Sequence, residues 1–141
     1  MPGFLGTTNL IELPSHNILH TTVEYCISGH AANRVEESVI SATVYYPNEL
    51  PAAKTKVKAA AVQWFKSVGK PQPAGMLAAI AETKPFKSTA DGLSVEYALD
   101  RCHSNGVKQP DGTRYRCVMM DLAMKPADGN WPDSSWYCRS F

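Results

Sequence analysis

The sequence predicts a single α+β domain in which a mainly antiparallel β-sheet carries one or two helices packed on one face. Stretches near both ends of the chain alternate apolar and polar residues, which is the period of a strand. A segment in the middle repeats its apolar residues every three or four positions, which is typical of a helix. The length of 141 residues fits one domain with a substantial core. Because helical segments separate pairs of strands, we expect hairpins rather than repeated βαβ units.

Two strands are predicted in the first third of the chain, after an irregular N-terminal arm over residues 1–16. Residues 17–28 (NILHTTVEYCIS) alternate strictly and are rich in β-branched side chains. Residues 38–46 (SVISATVYY) are apolar on both faces in their second half, which indicates a central strand. The α+β domain is therefore expected to span residues 17–141.

The strongest helical pattern covers about residues 51–68. Its apolar residues form one stripe and most of its lysines lie outside that stripe, while Gly69 and Pro71 mark its end. A shorter helix is predicted over about residues 74–82. Pro85 limits its extent because the residue before a proline disfavours helical geometry.

Alternation returns in the C-terminal half, over residues 93–102 and 114–124, and predicts a second pair of strands. The remaining tail is rich in turn-forming residues but contains several aromatic side chains. Burial of such side chains is strongly favourable, so we expect this aromatic tail to pack onto the domain. The aromatic residues are Trp131, Trp136, Tyr137 and Phe141.

The stretch LDRCHSNGVKQPDGTRYRC joins the second pair of strands and is predicted to be a hairpin. Its QPDG segment, with proline second and glycine fourth, is typical of a type I turn. Registers that keep the apolar residues of both strands on one face set Cys102 opposite Cys117 or diagonal to it, which makes a disulfide between them feasible. A register with Gln109 opposite Thr113 would instead send the two sulfur atoms to opposite faces.

The sequence does not choose among the cysteine pairings. If Cys102 pairs with Cys117, then Cys26 and Cys138 remain as the second pair, but four cysteines allow three connectivities. A metal site is disfavoured because the neighbours Cys102 and His103 point to opposite faces of a strand. The sequence also contains no CxxC, nucleotide-binding loop or hydrolase nucleophile motif, so we predict neither metal nor cofactor.

Candidate catalytic residues come from one face of the first strand. His20 and Glu24 lie four residues apart, so His20 could act as a base whose charge Glu24 adjusts. Cys26 lies on the same face, and Glu96 would join this surface if the two hairpins were neighbours. The alternative interpretation is that this face simply meets solvent.

Charge and hydropathy limit the partners. The chain has 14 basic and 13 acidic residues, whereas proteins that bind many phosphates usually have a basic excess. Nucleic-acid binding is therefore disfavoured, although a local patch leaves it open. No apolar run approaches the length of a membrane span, and the N-terminus does not resemble a secretory signal. We therefore expect an intracellular protein with mostly reduced cysteines, with a processed secreted form as the alternative.

Two functions are consistent with these observations. The first is a non-catalytic binding or assembly module that associates with a protein partner or with itself, into an oligomer or a larger particle. The second is a small cofactor-independent enzyme, of isomerase or hydrolase type, with a pocket between sheet and helices that uses His20, Glu24 and Glu96. A small-molecule ligand is compatible with either.

Overall fold

A computed structural model describes residues 10–11, 20–29, 37–102, 106–127 and 135–140. Within them are nine strands, two α-helices and one short 3₁₀-helix. The helices are α1 (Leu50–Val68) and α2 (Met76–Glu82), and the 3₁₀-helix covers Pro47–Glu49. The strands are β1 (Leu10–Ile11), β2 (Thr21–Gly29), β3 (Glu37–Val44), β4 (Phe86–Ala90), β5 (Leu93–Arg101), β6 (Val107–Lys108), β7 (Arg114–Tyr115), β8 (Val118–Pro126) and β9 (Ser135–Ser140).

The strands of the main sheet are all antiparallel to their neighbours. The order runs β1-β2-β3-β8-β5-β4, and β9 pairs with the same edge of β2 as β1 but further along that strand. Strands β6 and β7 form a separate two-stranded ribbon. The fold class predicted from the sequence, an α+β domain with helices on an antiparallel sheet, is confirmed.

Helix α1 begins and ends where its sequence predicts, within one residue. Pro51 lies in the first turn, where its missing N–H costs nothing. At the other end Gly69 adopts a left-handed conformation with φ of 69°. The Lys70 N–H donates to the Phe65 carbonyl and the Gly69 N–H to the Lys66 carbonyl. These two bonds form a Schellman motif, which satisfies the last carbonyls of the helix.

Hydrogen bonds from α1 hold the C-terminal end of helix α2. Thr83 ends it in a left-handed conformation with φ of 56°, which is strained for a β-branched residue. The Lys54 ammonium of α1 donates to the Ala81 carbonyl at 2.8 Å and to the Thr83 hydroxyl at 3.2 Å. A cation at the C-terminus of a helix is favourable because it faces the negative end of the helix dipole. Neither described helix has the length and apolar character needed to cross a bilayer.

The core lies between the helices and one face of the sheet. Helix α1 packs on β2 and β3, and α2 packs on β5. Along β2, β3, β5 and β8, alternate side chains point toward the helices, as the period of two requires. The largest fully buried side chains are Tyr97, Phe65, Ile40, Met76, Ile80, Met120, Leu122, Met124, Val23, Val44, Val57 and Val95.

Four strands of the structure were not predicted as strands: β1, β4, β9 and the two-residue β6, which lies inside the predicted hairpin. Strand β4 pairs with β5 through a two-residue turn, in which Asp91 and Gly92 both have positive φ angles. Strand β9 shows that the tail joins the sheet through its backbone, alongside β2. The two-residue strand β1 interrupts the arm that was expected to be irregular; the rest of that arm lies outside the described residues.

Two valines on α1 test the packing of the helix on the sheet. Val57 is fully buried, whereas Val62 is 38% exposed on the other side of the same helix. Val57→Ala should lower the free energy of unfolding by about 2 kcal/mol, because it leaves a cavity in the core. Val62→Ala changes the same atoms and the same helix propensity, so it is the matched control and should stay within about 0.5 kcal/mol. Chemical denaturation measures both, and equal effects would contradict this packing.

Candidate functional site

The described helices leave the opposite face of the sheet uncovered, and the charged residues described on that face are mainly acidic. The side chains on this face alternate with the buried ones along β2, β3, β5 and β8. Among the described strand residues it presents five carboxylates and two lysines. We call this surface the acidic face, and its carboxylates are Glu24, Glu37, Glu96, Asp100 and Asp121; its lysines are Lys87 and Lys125.

Pairing between β3 and β8 makes this a continuous surface. Glu24 pairs with Ser41, which pairs with Asp121, which in turn pairs with Ala98. The Ser41 hydroxyl donates to the Asp121 carboxylate at 2.6 Å. Glu96 lies on the neighbouring row, with the Lys87 ammonium 3.6 Å from its carboxylate. The two hairpins are therefore neighbours, which is the condition that the sequence left open.

The three residues proposed for catalysis do not converge. Glu24 and Glu96 lie on the acidic face, away from the helices, so these carboxylates do not line a space between sheet and helices. Three strand spacings separate Glu24 from the strand of Glu96, which is about 14 Å. His20 precedes Glu24 by four residues, or about 13 Å along the strand. A catalytic role for these residues stays a prediction.

A second polar cluster, which the sequence analysis missed, surrounds Glu49 where the 3₁₀-helix meets α1. Glu49 is only 5% exposed, and its carboxylate accepts a hydrogen bond from the Thr21 hydroxyl at 2.8 Å. Thr21 also accepts a hydrogen bond from the Tyr45 N–H at 3.4 Å. This connects the start of β2 to the segment that leads into α1. The sequence signal was weak, because an acidic residue just before a helix usually lies at the surface.

The cluster around Glu49 contains buried polar atoms whose hydrogen-bonding capacity is not used among the described residues. Burial raises the pKa of Glu49, while the Thr21 hydrogen bond and the charge of His20 lower it in part. Burial and the nearby Glu49 carboxylate both raise the pKa of Tyr46. Among the described residues, the buried Tyr46 hydroxyl and His20 Nδ1 atom have no hydrogen-bond partner. Buried polar atoms without partners are uncommon and costly, so this cluster is a candidate site for a small polar ligand.

The long hairpin between β5 and β8 uses two registers. In the main sheet Leu99 pairs with Met120, and this register continues to place Cys102 opposite Cys117, whose carbonyl accepts the Cys102 N–H at 3.0 Å. Beyond that point β6 and β7 are shifted, because the Gln109 N–H donates to the Thr113 carbonyl. Two of the registers considered from the sequence therefore occur, one on each side of the cysteines.

A disulfide joins Cys102 to Cys117 where the register changes, with their Cα atoms 5.1 Å apart. Cys26 is also disulfide-bonded, and the residue opposite it in the β2–β9 register is Cys138. Disulfides persist mainly in oxidising compartments. The structure therefore departs from the expectation of reduced cysteines.

The β6–β7 ribbon and the residues that flank the disulfide carry exposed cations. We call residues 101–102 and 106–116 the basic ribbon; its cations are Arg101, Lys108, Arg114 and Arg116. Arg101 donates to the Arg116 carbonyl at 2.7 Å, and Arg116 donates to the Cys102 carbonyl at 2.8 Å. The Arg101 guanidinium also lies 5.1 Å from the centre of the Tyr115 ring. These contacts hold the two arginines in place, and among the described residues most of their side-chain N–H groups have no hydrogen-bond acceptor.

The described part of the chain contains no group of three or more histidine, cysteine or carboxylate side chains placed to bind a metal. Comparison with known proteins adds no further assignment, because no family model, curated protein or solved structure matches this chain.

The buried Glu49 should make stability depend on pH. Its raised pKa means that the folded state holds the proton more tightly. The stabilisation is therefore complete below the ordinary value of 4.5 and is lost as the pH rises through the higher pKa of the folded state. Glu49→Gln keeps an acceptor for Thr21 without the charge, so it should be more stable than the wild type at neutral pH and less dependent on pH. The urea midpoints of unfolding of the wild type and of Glu49→Gln, measured from below pH 4.5 to neutral pH, test this prediction.

The control for Glu49→Gln is Glu82→Gln, since Glu82 lies on the surface at the end of α2 with its side chain 59% exposed. That variant should keep the pH dependence of the wild type. If Glu49→Gln keeps it as well, Glu49 is not the group responsible.

The cysteine connectivity can be read by peptide mapping without reduction. Trypsin leaves Cys117 and Cys138 on one peptide, residues 117–139, so Asp-N must also cut before Asp121. The peptides 102–108 and 117–120 should then be linked. Replacing both Cys102 and Cys117 by serine should cost about 3 kcal/mol, the value expected for a loop of this length. A link from 102–108 to any other cysteine peptide would contradict the pairing.

Proposed function

We propose that this chain is a non-catalytic assembly module that associates with further copies of itself through the acidic face. The observation that carries the proposal is that, within the described part of the chain, both helices pack on one side of the sheet and neither packs on the other. Sites for small molecules are usually concave, whereas an open sheet face offers a broad surface suited to another protein.

The composition of the acidic face supports a protein partner. Small or apolar side chains lie between its carboxylates, and they are only partly buried or are exposed within one copy. These residues are Val39, Ala98, Met119 and Ala123. Interfaces commonly combine such a centre with a polar rim. Strand β4 adds to this support, because among the described residues it pairs only with β5 and leaves its outer edge unpaired.

A second copy is the partner that the charges favour. The chain as a whole has a formal net charge of +1, yet the acidic face and the basic ribbon carry opposite charges. A molecule with two complementary surfaces can bind its own copies without a separate partner. The disulfide favours an oxidising compartment for this assembly over an intracellular one.

The alternative, a small cofactor-independent enzyme, has support in the cluster around Glu49. A buried carboxyl group with a raised pKa near a histidine is a feature of general acid–base sites. In this version His20 would act with Glu49 rather than with Glu24. Crystals soaked with small polar fragments test it: fragments bound to Glu49 and Tyr46 would support an enzyme site, and fragments found only elsewhere would count against it.

If copies associate through the acidic face, an uncharged but larger side chain on that face should weaken the association. Ala98 is exposed there, beside Asp121. Ala98→Gln adds bulk without charge, so it should weaken self-association about tenfold by separating the two surfaces. Light scattering coupled to size exclusion, over a range of protein concentrations, measures this.

The matched control is Ala59→Gln on the exposed side of α1, which should leave the mass unchanged. A wild-type chain that stays monomeric at high concentration would contradict the proposal. Equal effects of the two substitutions would contradict the acidic face as the contact.

A further inference from the structure

The base of the basic ribbon lies on the side of the sheet opposite the acidic face. Tyr115 of the ribbon packs against the hydrophobic core, which lies between the sheet and the helices. This contact holds the base of the ribbon toward the helix side of the sheet. The acidic face is on the opposite side of the sheet, and the two surfaces adjoin at Asp100, whose carboxylate accepts the Arg101 N–H at 2.7 Å.

The ribbon is fixed before any partner binds. The Cys102–Cys117 disulfide closes its base, and the shifted β6–β7 pairing orders its strands. Arg114 donates to the Gly106 carbonyl at 3.1 Å, inside the ribbon. A rigid element loses less conformational entropy on binding than a flexible loop, so this ribbon is well suited to form an interface.

In the part of the chain that the structure describes, the side chains of the ribbon cations have no acidic partner within one copy. Among the described residues, no carboxylate lies within salt-bridge distance of Arg101, Arg114 or Arg116. Asp111 on the same ribbon is already engaged, because it accepts hydrogen bonds from the Thr113 hydroxyl and N–H. On the acidic face, the described partner of Asp121 is the Ser41 hydroxyl rather than a cation.

We propose that the basic ribbon of one copy docks on the acidic face of a second copy. This rests on the self-association proposed above and specifies its geometry. Because the two surfaces are different, the contact is heterologous: each copy uses its ribbon toward one neighbour and its face toward another. Such contacts generate closed rings or open filaments rather than isolated twofold dimers.

Charge reversal on each surface tests this pairing in the full-length chain. Arg114→Glu and Asp121→Arg should each weaken self-association about tenfold, because each opposes like charges across the interface. An equimolar mixture of the two variants should recover wild-type assembly, since every contact in an alternating array then pairs opposite charges. Sedimentation velocity measures the assembled fraction, which should also fall as salt screens the charges.

Controls separate this geometry from other causes. Lys66→Glu reverses an exposed charge on α1 and should leave assembly unchanged. Lys108→Glu is a second ribbon variant, and its side chain makes no described hydrogen bond that folding could lose. Far-UV circular dichroism confirms that each variant is folded.

Three results would overturn the ribbon-to-face contact. A monomeric wild-type chain would overturn it together with the proposed function. Assembly that neither reversal weakens, or that the mixture does not restore, would overturn the contact while leaving self-association intact. Binding of a single-stranded oligonucleotide that Arg114→Glu abolishes, with no change in assembly, would show that the ribbon serves a nucleic acid instead.

Discussion

The antiparallel pairing of β3 with β8 is the interaction on which the rest of the structure depends. It joins two hairpins that are distant in sequence, through a ladder that runs from Ser38 opposite Met124 to Val44 opposite Val118. Its inward residues give the helices a continuous apolar surface, and its outward residues place Ser41 beside Asp121. Without this ladder neither the shared core nor the acidic face would exist.

The spacing of apolar residues along one segment predicted the elements that can be recognised without knowing which other elements they contact. Helix α1 was found because its apolar stripe and Gly69 are readable along one segment. Strand β4 was missed because it has one large apolar residue, Phe86, although Asp91 and Gly92 form a turn sequence typical of hairpins. The pairing of β3 with β8 could not be predicted from the sequence. Several different orders of the same strands in the sheet would bury equally apolar faces.

The candidate sites also depend on contacts between elements, which the sequence pattern within each element does not give. His20 and Glu24 are on one strand and could be grouped from sequence, but strand geometry sets them too far apart to touch directly. Glu49 approaches Thr21 only because β2 lies beside the segment that enters α1, and sequence spacing gives no sign of that contact. Contacts between elements, rather than periodicity within them, therefore decide which polar residues meet.

Net charge was a poor guide to partners because it averages over surfaces that the fold separates. Fourteen basic and thirteen acidic residues nearly cancel, and on that count alone an electrostatic partner is disfavoured. Strand alternation collects carboxylates on the side of the sheet away from the core, while the shifted register beyond Cys102 carries arginines onto a separate ribbon. At physiological salt, fields fall off over about 8 Å. A neighbour in contact with either surface therefore meets a local charge of one sign, whatever the total of the chain.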